Sequence, residues 1–257
     1  MNKLIILALA AATVSPLWAI QGTIRTTNGD EKKGDIKWQS RSKSYALTFK
    51  KGKTDISAEY PIAEVESLEI AKPAGFDKAV ESVRRGQGAA AIGILTKIVT
   101  DYKMLQWDKP AGRYLVEAYI SANNAQKAYE VATGIINEDK SAAWKGDLAP
   151  AYWQALLKLG KNQQLESMVK KAAVSGDRAT SAAALVMRGD IILATEGETQ
   201  ESCRKALTDA YLRVMLMYVD EPCREVRFEA MQKAANCFDM LQQAARAESI
   251  RTQAKAL

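Results

Sequence analysis

The stretch "ANNAQKAYEVATGII", residues 122–136, contains a polar turn followed by small residues at helical spacing. Asn123 and Asn124 favour a turn, and Ala128 and Ala132 stand four positions apart, on one face of a helix. Small side chains on one face allow two helix axes to lie close together. The stretch therefore predicts a helical hairpin, in which the turn connects a first helix to a closely packed second one.

The same spacing recurs every 37 residues, before and after this stretch. Three columns of residues share one helical face, because offsets of four and three keep positions on the same side. The columns are Ala91, Ala128 and Leu165, then Leu95, Ala132 and Val169, then Ile98, Ile135 and Ala172. Turn residues precede each of these helices, at 86–88, 123–124 and 160–162. We therefore expect three successive hairpins that bury the same stripe.

This arrangement resembles the tetratricopeptide repeat (TPR), a helix-turn-helix unit that stacks into a superhelix. The matching residues are Leu115, Tyr119 and Ala128 in the second hairpin, and Leu156 with the Leu159-Gly160 turn in the third. The period is longer than the usual ~34 residues, the Trp-Leu-Gly cluster is incomplete, and no proline closes each unit. The resemblance implies a TPR-like α-solenoid over about residues 76–256 and a role in protein–protein interaction.

The remaining helical sequence continues this pattern towards the C-terminus. Residues 182–195 and 203–218 predict a fourth hairpin around Gly197, and residues 219–222 open a long helix that runs to about Leu241. A final polar helix, residues 244–256, is expected to cap the stack, because terminal repeats need a polar outer face.

Residues 22–70 alternate between apolar and polar side chains in short runs, which is typical of antiparallel strands. The predicted strands are 22–27, 34–40, one through Tyr45, Leu47 and Phe49, one through Ile56, Ala58 and Tyr60, and one ending at Leu68 and Ile70. A short turn at 61–64 precedes the last strand. Five short strands favour a closed barrel, because closure removes exposed edges. Their order resembles SH3-like and Sm-like small barrels, and the Sm-like resemblance implies a homo-oligomer formed through the barrel.

The predicted fold class is α+β multi-domain: a small five-stranded antiparallel β-barrel at residues 20–72, then an all-α helical-hairpin solenoid at residues 73–257.

Residues 1–19 have the layout of a signal peptide, with Lys3, an apolar run from Leu4 to Val14, and expected cleavage after Ala19. An uncleaved membrane anchor is the alternative, but the run is about half of the ~20 residues that span a bilayer. We expect export, to the periplasm or out of the cell.

Histidine is absent from the whole sequence. Its absence removes the commonest general base, the commonest metal ligand and every Ser-His or Cys-His pair. Ser167 and Lys170 match the Ser-x-x-Lys pattern of penicillin-binding enzymes, but Ser202 and Lys205 match it equally, and no Lys-Thr-Gly motif is present. The sequence therefore predicts a non-enzymatic protein with no catalytic residues, no cofactor and no metal.

The three cysteines suggest a covalent link within the last hairpins. Cys203 and Cys237 each lie seventeen residues from Asp220, so neighbouring antiparallel helices would place them at the same height. Such a pair could form a disulfide in an oxidising compartment. The alternative is two buried thiols that act as small apolar residues, because helix packing does not guarantee bridging geometry. Cys223 would stay free in either case.

Four aromatic residues are candidates for binding a partner: Trp107, Trp144, Tyr152 and Trp153. The alternative is that they fill gaps between hairpins, as large aromatic side chains commonly do. Trp107 and Trp144 fall in segments between repeats, so we expect them to be the exposed pair.

A basic region in the predicted barrel could attract an anionic glycan or a lipid surface. Its residues are Lys32, Lys33, Lys37, Arg41, Lys43, Lys50, Lys51 and Lys53. The alternative is that these side chains only keep strand edges from pairing with other chains. The net charge of +6 is modest, and we expect no nucleic-acid partner.

Taken together, these features predict an exported binding or scaffold protein that uses its solenoid for protein–protein interaction in the cell envelope. A binder of anionic glycan or of the envelope surface, acting through the basic region, is the alternative.

Overall fold

A computed structural model describes residues 20–52 and 54–257. The predicted signal peptide, residues 1–19, lies outside the described residues. The chain divides into two compact units. We call the first the sheet unit; of the described residues it holds those from Ile20 to Lys72 together with Asp101–Asp108. We call the second the helical unit; it holds Pro73–Thr100 and Lys109–Leu257.

The sheet unit contains five antiparallel strands in the order β4-β3-β2-β1-β5. The strands are β1 (Ile20–Thr26), β2 (Glu31–Gln39), β3 (Ser44–Lys51), β4 (Thr54–Pro61) and β5 (Val65–Ile70). The predicted short turn before the last strand is a 3₁₀ helix, Ile62–Glu64. Within the described strands no backbone pairing joins β4 to β5, so the sheet is open at both edges and the closed SH3-like or Sm-like barrel is not confirmed.

The helical unit is built from helix-turn-helix hairpins. Its helices are α1 (Phe76–Arg84), α2 (Gly88–Asp101), α3 (Asp108–Ser121), α4 (Ala125–Glu138), α5 (Leu148–Lys158), α6 (Asn162–Ala173), α7 (Arg178–Glu196), α8 (Gln200–Ala206), α9 (Leu212–Met217), α10 (Arg224–Met240) and α11 (Ala244–Lys255). A π-helical turn, Leu207–Tyr211, joins α8 to α9. These elements form five hairpins, which confirms the predicted stack of helical hairpins after the sheet.

The turns of four hairpins repeat at a spacing of 37 residues. Gly86, Asn123, Gly160 and Gly197 all adopt positive φ, between 58° and 77°. Glycine and asparagine tolerate this left-handed conformation best, so these residue types can end one helix and redirect the chain into the next. The fourth turn continues the period that three hairpins had indicated.

Most of the predicted stripe is buried, and of its nine residues Ile135 in the second hairpin is only half-buried. Ala91, Ala128 and Leu165 are fully buried, and Ser202 occupies the same position in the fourth hairpin with the same burial. The residues four positions further along these helices are also buried: Leu95, Ala132, Val169 and Ala206. After Ala206 the π-helical turn adds one residue, so Ala210 is buried where the strict period would place Asp209.

The core of the sheet unit is completed by the connection between α2 and α3. We call Asp101–Asp108 the inserted segment. Ile24, Ile36 and Leu47 form the centre of the sheet core, and Leu105 of the inserted segment, 1% exposed, packs among them. Three hydrogen bonds hold the segment: the Tyr45 hydroxyl donates to the Met104 carbonyl (3.1 Å), the Trp107 indole N–H donates to the Ile70 carbonyl (3.0 Å), and the Ile70 N–H donates to Gln106 Oε1 (3.2 Å).

Across the described part of the chain, none of the helices combines the length and the apolar character that crossing a membrane requires.

Candidate functional site

The first helices of all five hairpins contribute to one groove in the helical unit. Side chains from α1, α3, α5, α7 and α10 line it, and the end of α11 completes its wall. Its volume is about 1000 Å³. The predicted stripe lies on the second helix of each hairpin, whereas the groove is lined by the first helices. The first helices therefore form one shared surface.

Small residues at the start of α7 form the floor of this groove. Ala179, Thr180 and Ala183 line it, beside Gly146. Asp177 caps α7 by accepting a hydrogen bond from the Thr180 N–H (2.8 Å), and hydrogen bonds from Thr180 lower the pKa of this carboxyl. The Thr180 hydroxyl in turn accepts from the Gly146 N–H (3.3 Å). The second of these bonds fixes the loop before α5 against the start of α7.

The arginines of the groove are paired with carboxylates. Arg113 Nε donates to Glu117 of the same helix (2.9 Å), and its Nη1 lies 3.4 Å from Asp147. Burial opposes the charge of Arg113, but the neighbouring carboxylates outweigh it and raise the pKa of the guanidinium. The groove therefore has a mixed charge pattern rather than a field of one sign.

An ion pair spans the groove from the first hairpin to the fifth. Arg84 at the end of α1 lies 3.4 Å from Glu225 at the start of α10. Both side chains are exposed, so such a pair stabilises the fold by at most about 1 kcal/mol. Next to it, α10 presents Phe228, a phenyl ring that is 44% exposed, to the groove. The groove therefore combines ion pairs with one prominent apolar side chain.

A partly buried polar cluster joins three hairpins. Asp190 of α7 accepts hydrogen bonds from the Tyr211 hydroxyl (2.8 Å) and from Gln154 of α5 (3.1 Å), and it forms an ion pair with Lys233 of α10. Burial, followed by the charge of Asp190, raises the pKa of Tyr211. Sequence reasoning missed this cluster because its members lie up to 79 positions apart (Gln154 to Lys233) and carry no motif. Its polar groups bond one another, which fixes α5, α7 and α10 relative to each other.

The four aromatic candidates lie outside this groove. Trp153 is fully buried, and its indole N–H donates to the Ala143 carbonyl (2.9 Å). Tyr152 is also buried and stacks on Tyr129. Trp144 is half-buried beneath Lys171 (5.0 Å), and Trp107 is half-buried against the sheet. Trp107 and Trp144 are therefore the more exposed pair of the four, as expected, although each is half-buried, and Tyr152 and Trp153 serve as core residues.

The basic candidates are exposed but are interleaved with acidic residues. Exposed members are Lys32, Lys33, Lys37, Arg41, Lys43 and Lys50, whereas Lys53 and the side chain of Lys51 lie outside the described residues. On β2, Asp35 stands between Lys33 and Lys37 on the same face, and across β3 and β4 Lys50 pairs with Asp55. This interleaving disfavours a continuous anion-binding surface.

All three cysteines are free thiols, and all are buried. Cys203 and Cys237 lie in the same hydrophobic cluster, on α8 and α10. Cys223 lies in the turn before α10, and its thiol donates a hydrogen bond to Asp220 (3.4 Å). In the described ranges no group of three or more potential ligands is arranged to hold a metal ion.

Comparison with known proteins gives a distant structural likeness. No family model matches the chain, and no curated protein matches it. Two crystal structures match: TPR-like, nearly identical repeats of a Podosopora anserina protein assigned as a kinesin light chain, and a variant of it in which methionine replaces one glutamine. Each shares 14% identity and covers 70% of this chain and 91% of its own, with TM-scores of 0.43 for the variant and 0.42 for the other.

Proposed function

We propose that the helical unit is a non-enzymatic interaction scaffold that binds a segment of a partner protein in the groove. The observation that carries the proposal is that the first helix of every hairpin lines the same groove. Stacked repeats that each offer a few contacts suit an extended polypeptide, because such a ligand meets several repeats at once. The resemblance of the repeats to the TPR pattern agrees with this use.

The size and chemistry of the groove support a polypeptide ligand over a small molecule. Its volume of about 1000 Å³ lies at the upper end of the ~300–1000 Å³ range of small-molecule pockets. Its arginines are paired with carboxylates. Such pairs suit a groove that binds a ligand of mixed polarity better than a catalytic site that transfers protons. Phe228 offers the aromatic anchor that protein interfaces commonly contain.

The setting of this scaffold is a further part of the proposal. We place it outside the cytoplasm, in the periplasm or beyond, with residues 1–19 removed as a signal peptide and a role in assembly of the cell envelope. The arrangement of Lys3, the apolar run and Ala19 supports this. Sequencing the N-terminus of the protein purified from its native cells tests it, since we expect Ile20 as the first residue and an intact Met1 would contradict export.

The sheet unit is proposed to be related to the SH3-like and Sm-like small barrels. The strand order and the 3₁₀ turn before β5 support this relation.

Two exposed side chains on one helix allow a matched test of the groove. Phe228 and Met240 both lie on α10, and they are 44% and 45% exposed, but only Phe228 lines the groove. A photoreactive amino acid placed at either position in living cells will crosslink to whatever protein is adjacent. We expect one discrete adduct from position 228 and none of the same mass from position 240.

The partner identified in this way is then purified and its affinity measured by calorimetry. We expect Phe228→Ala to weaken binding by at least about tenfold, because a central aromatic anchor contributes more than about 1.4 kcal/mol. Met240→Ala should stay within about twofold. Equal affinities of the two variants, or equal adducts from both positions, would exclude the groove as the binding surface.

A further inference from the structure

Two buried thiols face each other between the fourth and fifth hairpins. Cys203 lies on α8 and Cys237 on α10, and each is 2% exposed within one hydrophobic cluster. Helices α8 and α10 pack directly against each other. Both cysteines belong to the same buried cluster, and the neighbouring Cys203 contributes to raising the pKa of the Cys237 thiol, so the two side chains lie beside each other at the helix interface.

The third cysteine has a different environment, which makes the pairing specific. Cys223 is fully buried in the 3₁₀ turn before α10, and its thiol donates a hydrogen bond to Asp220 Oδ2 (3.4 Å). Burial and this carboxylate raise the pKa of the Cys223 thiol to about 11. Of the three cysteines, Cys203 and Cys237 are thus the two that influence each other's environment across the packed helices α8 and α10.

We propose that Cys203 and Cys237 are the site of a disulfide bond that links α8 to α10. The proposal is independent of what the groove binds. Its co-reactant is a low-molecular-weight disulfide, such as is present in oxidising compartments.

The chemistry balances as two successive thiol–disulfide exchanges. The thiolate of one cysteine attacks a sulfur of the small disulfide, forms a mixed disulfide and releases one small thiolate. The thiolate of the other cysteine then attacks the protein sulfur of the mixed disulfide, and the second small thiolate leaves. The two cysteine protons end on the two released thiols. The cysteines are oxidised by two electrons, and the small disulfide is reduced by two.

Burial determines when this reaction takes place. Only 2% of each side chain is accessible, and burial together with the neighbouring Cys203 raises the pKa of the Cys237 thiol to about 12. Cys237 is therefore protonated and shielded in the folded chain, and a thiol reacts as its thiolate. The bond will form quickly while the last hairpins are still folding, and slowly once they have packed.

Tryptic mass mapping tests the pairing directly, because each cysteine falls in its own peptide: 189–204, 214–224 and 234–246. The full chain is refolded from reduced, denatured protein in a buffer of oxidised and reduced glutathione, then denatured and alkylated without reduction. We expect peptides 189–204 and 234–246 to be joined and 214–224 to carry the alkyl group. Three alkylated peptides, a bridge to 214–224, or glutathione adducts on either expected partner would overturn the proposal.

Thermal unfolding provides a second measurement, which can still be made if the yield of refolded protein is low. We expect the melting temperature of the wild-type chain to fall on addition of a reductant. Cys223→Ser keeps a hydroxyl for Asp220 and should show the same fall. Cys203→Ala with Cys237→Ala should melt at the same temperature with and without the reductant. A fall of equal size in this double variant would show that the redox effect has another origin.

Discussion

Replacing Leu105 by alanine should strongly destabilise the sheet unit while the helical unit keeps its stability. Leu105 is 1% exposed and lies among Ile24, Ile36 and Leu47, although it comes from the connection between two helices. Leu→Ala changes at comparable buried positions cost about 2.7–5.0 kcal/mol, from the lost apolar contact and the cavity that remains. A unit of about 60 residues has roughly 3–9 kcal/mol of stability to lose. The substitution therefore removes a large part of it.

Hydrogen exchange measured by mass spectrometry separates the two units, because it reports the opening of each peptide. We expect amides of β1, β2 and β3 to exchange about 100- to 5000-fold faster in Leu105→Ala, since each 1.4 kcal/mol is about tenfold. Amides in the middle of α7 and α10 should keep their rates.

Leu216→Ala is the matched control for this experiment. Leu216 is also a leucine but is 77% exposed, so its removal should change exchange in either unit by less than about threefold. An increase below about fivefold for the strands of Leu105→Ala would refute the reasoning. That result would mean that the sheet core is stable without the inserted segment.

Two further predictions concern the helical unit. Gly189→Ala should lower the melting temperature of the chain, because the new methyl would lie 2.6 Å from Cζ of the buried Tyr211 ring. Gly112→Ala should be close to neutral, since its methyl meets the end of the flexible Ile135 side chain and alanine favours a helix; equal losses would contradict this. Burial and Tyr129 raise the pKa of Tyr152 from 10.0 to about 12. The stability that its protonated hydroxyl contributes is thus complete below pH 10 and is lost as the pH rises towards 12. Tyr152→Phe should flatten this fall in denaturant titrations, and an unchanged slope would exclude Tyr152 as its source.

The hairpins and strands could be predicted because their signals are local. The 37-residue spacing of Ala91, Ala128 and Leu165 is written in the sequence, and each of these residues is buried as expected. The alternation of Tyr45, Leu47 and Phe49 likewise predicted which side of β3 faces the core. The helical period and the strand alternation indicate which residues are buried against a neighbouring helix or strand, because both patterns repeat over a few residues of sequence.

The inserted segment and the groove could not be predicted because neither has a local signal. Leu105 and Trp107 stand in an aperiodic connection, and nothing in their spacing shows that they pack on strands more than thirty residues earlier. The groove takes scattered residues from five hairpins, such as Arg84 and Phe228, and the repeat pattern of the second helices carries no information about them. Trp153 could be assigned to the core only once the packing around it was known.

The inserted segment also sets the order in which the protein can fold during its synthesis. All five strands have left the ribosome once Ile70 is accessible, but their core lacks Leu105 until the chain has grown past residue 108. At about 5–20 residues per second this delay lasts roughly 2–8 seconds. During that time the core of the sheet is incomplete, and α1 and α2 emerge before Leu105 does. The core of the sheet unit is therefore completed only after the first helical hairpin has emerged, and ribosome-bound chains arrested before and after residue 108 should differ in protease resistance of the strands.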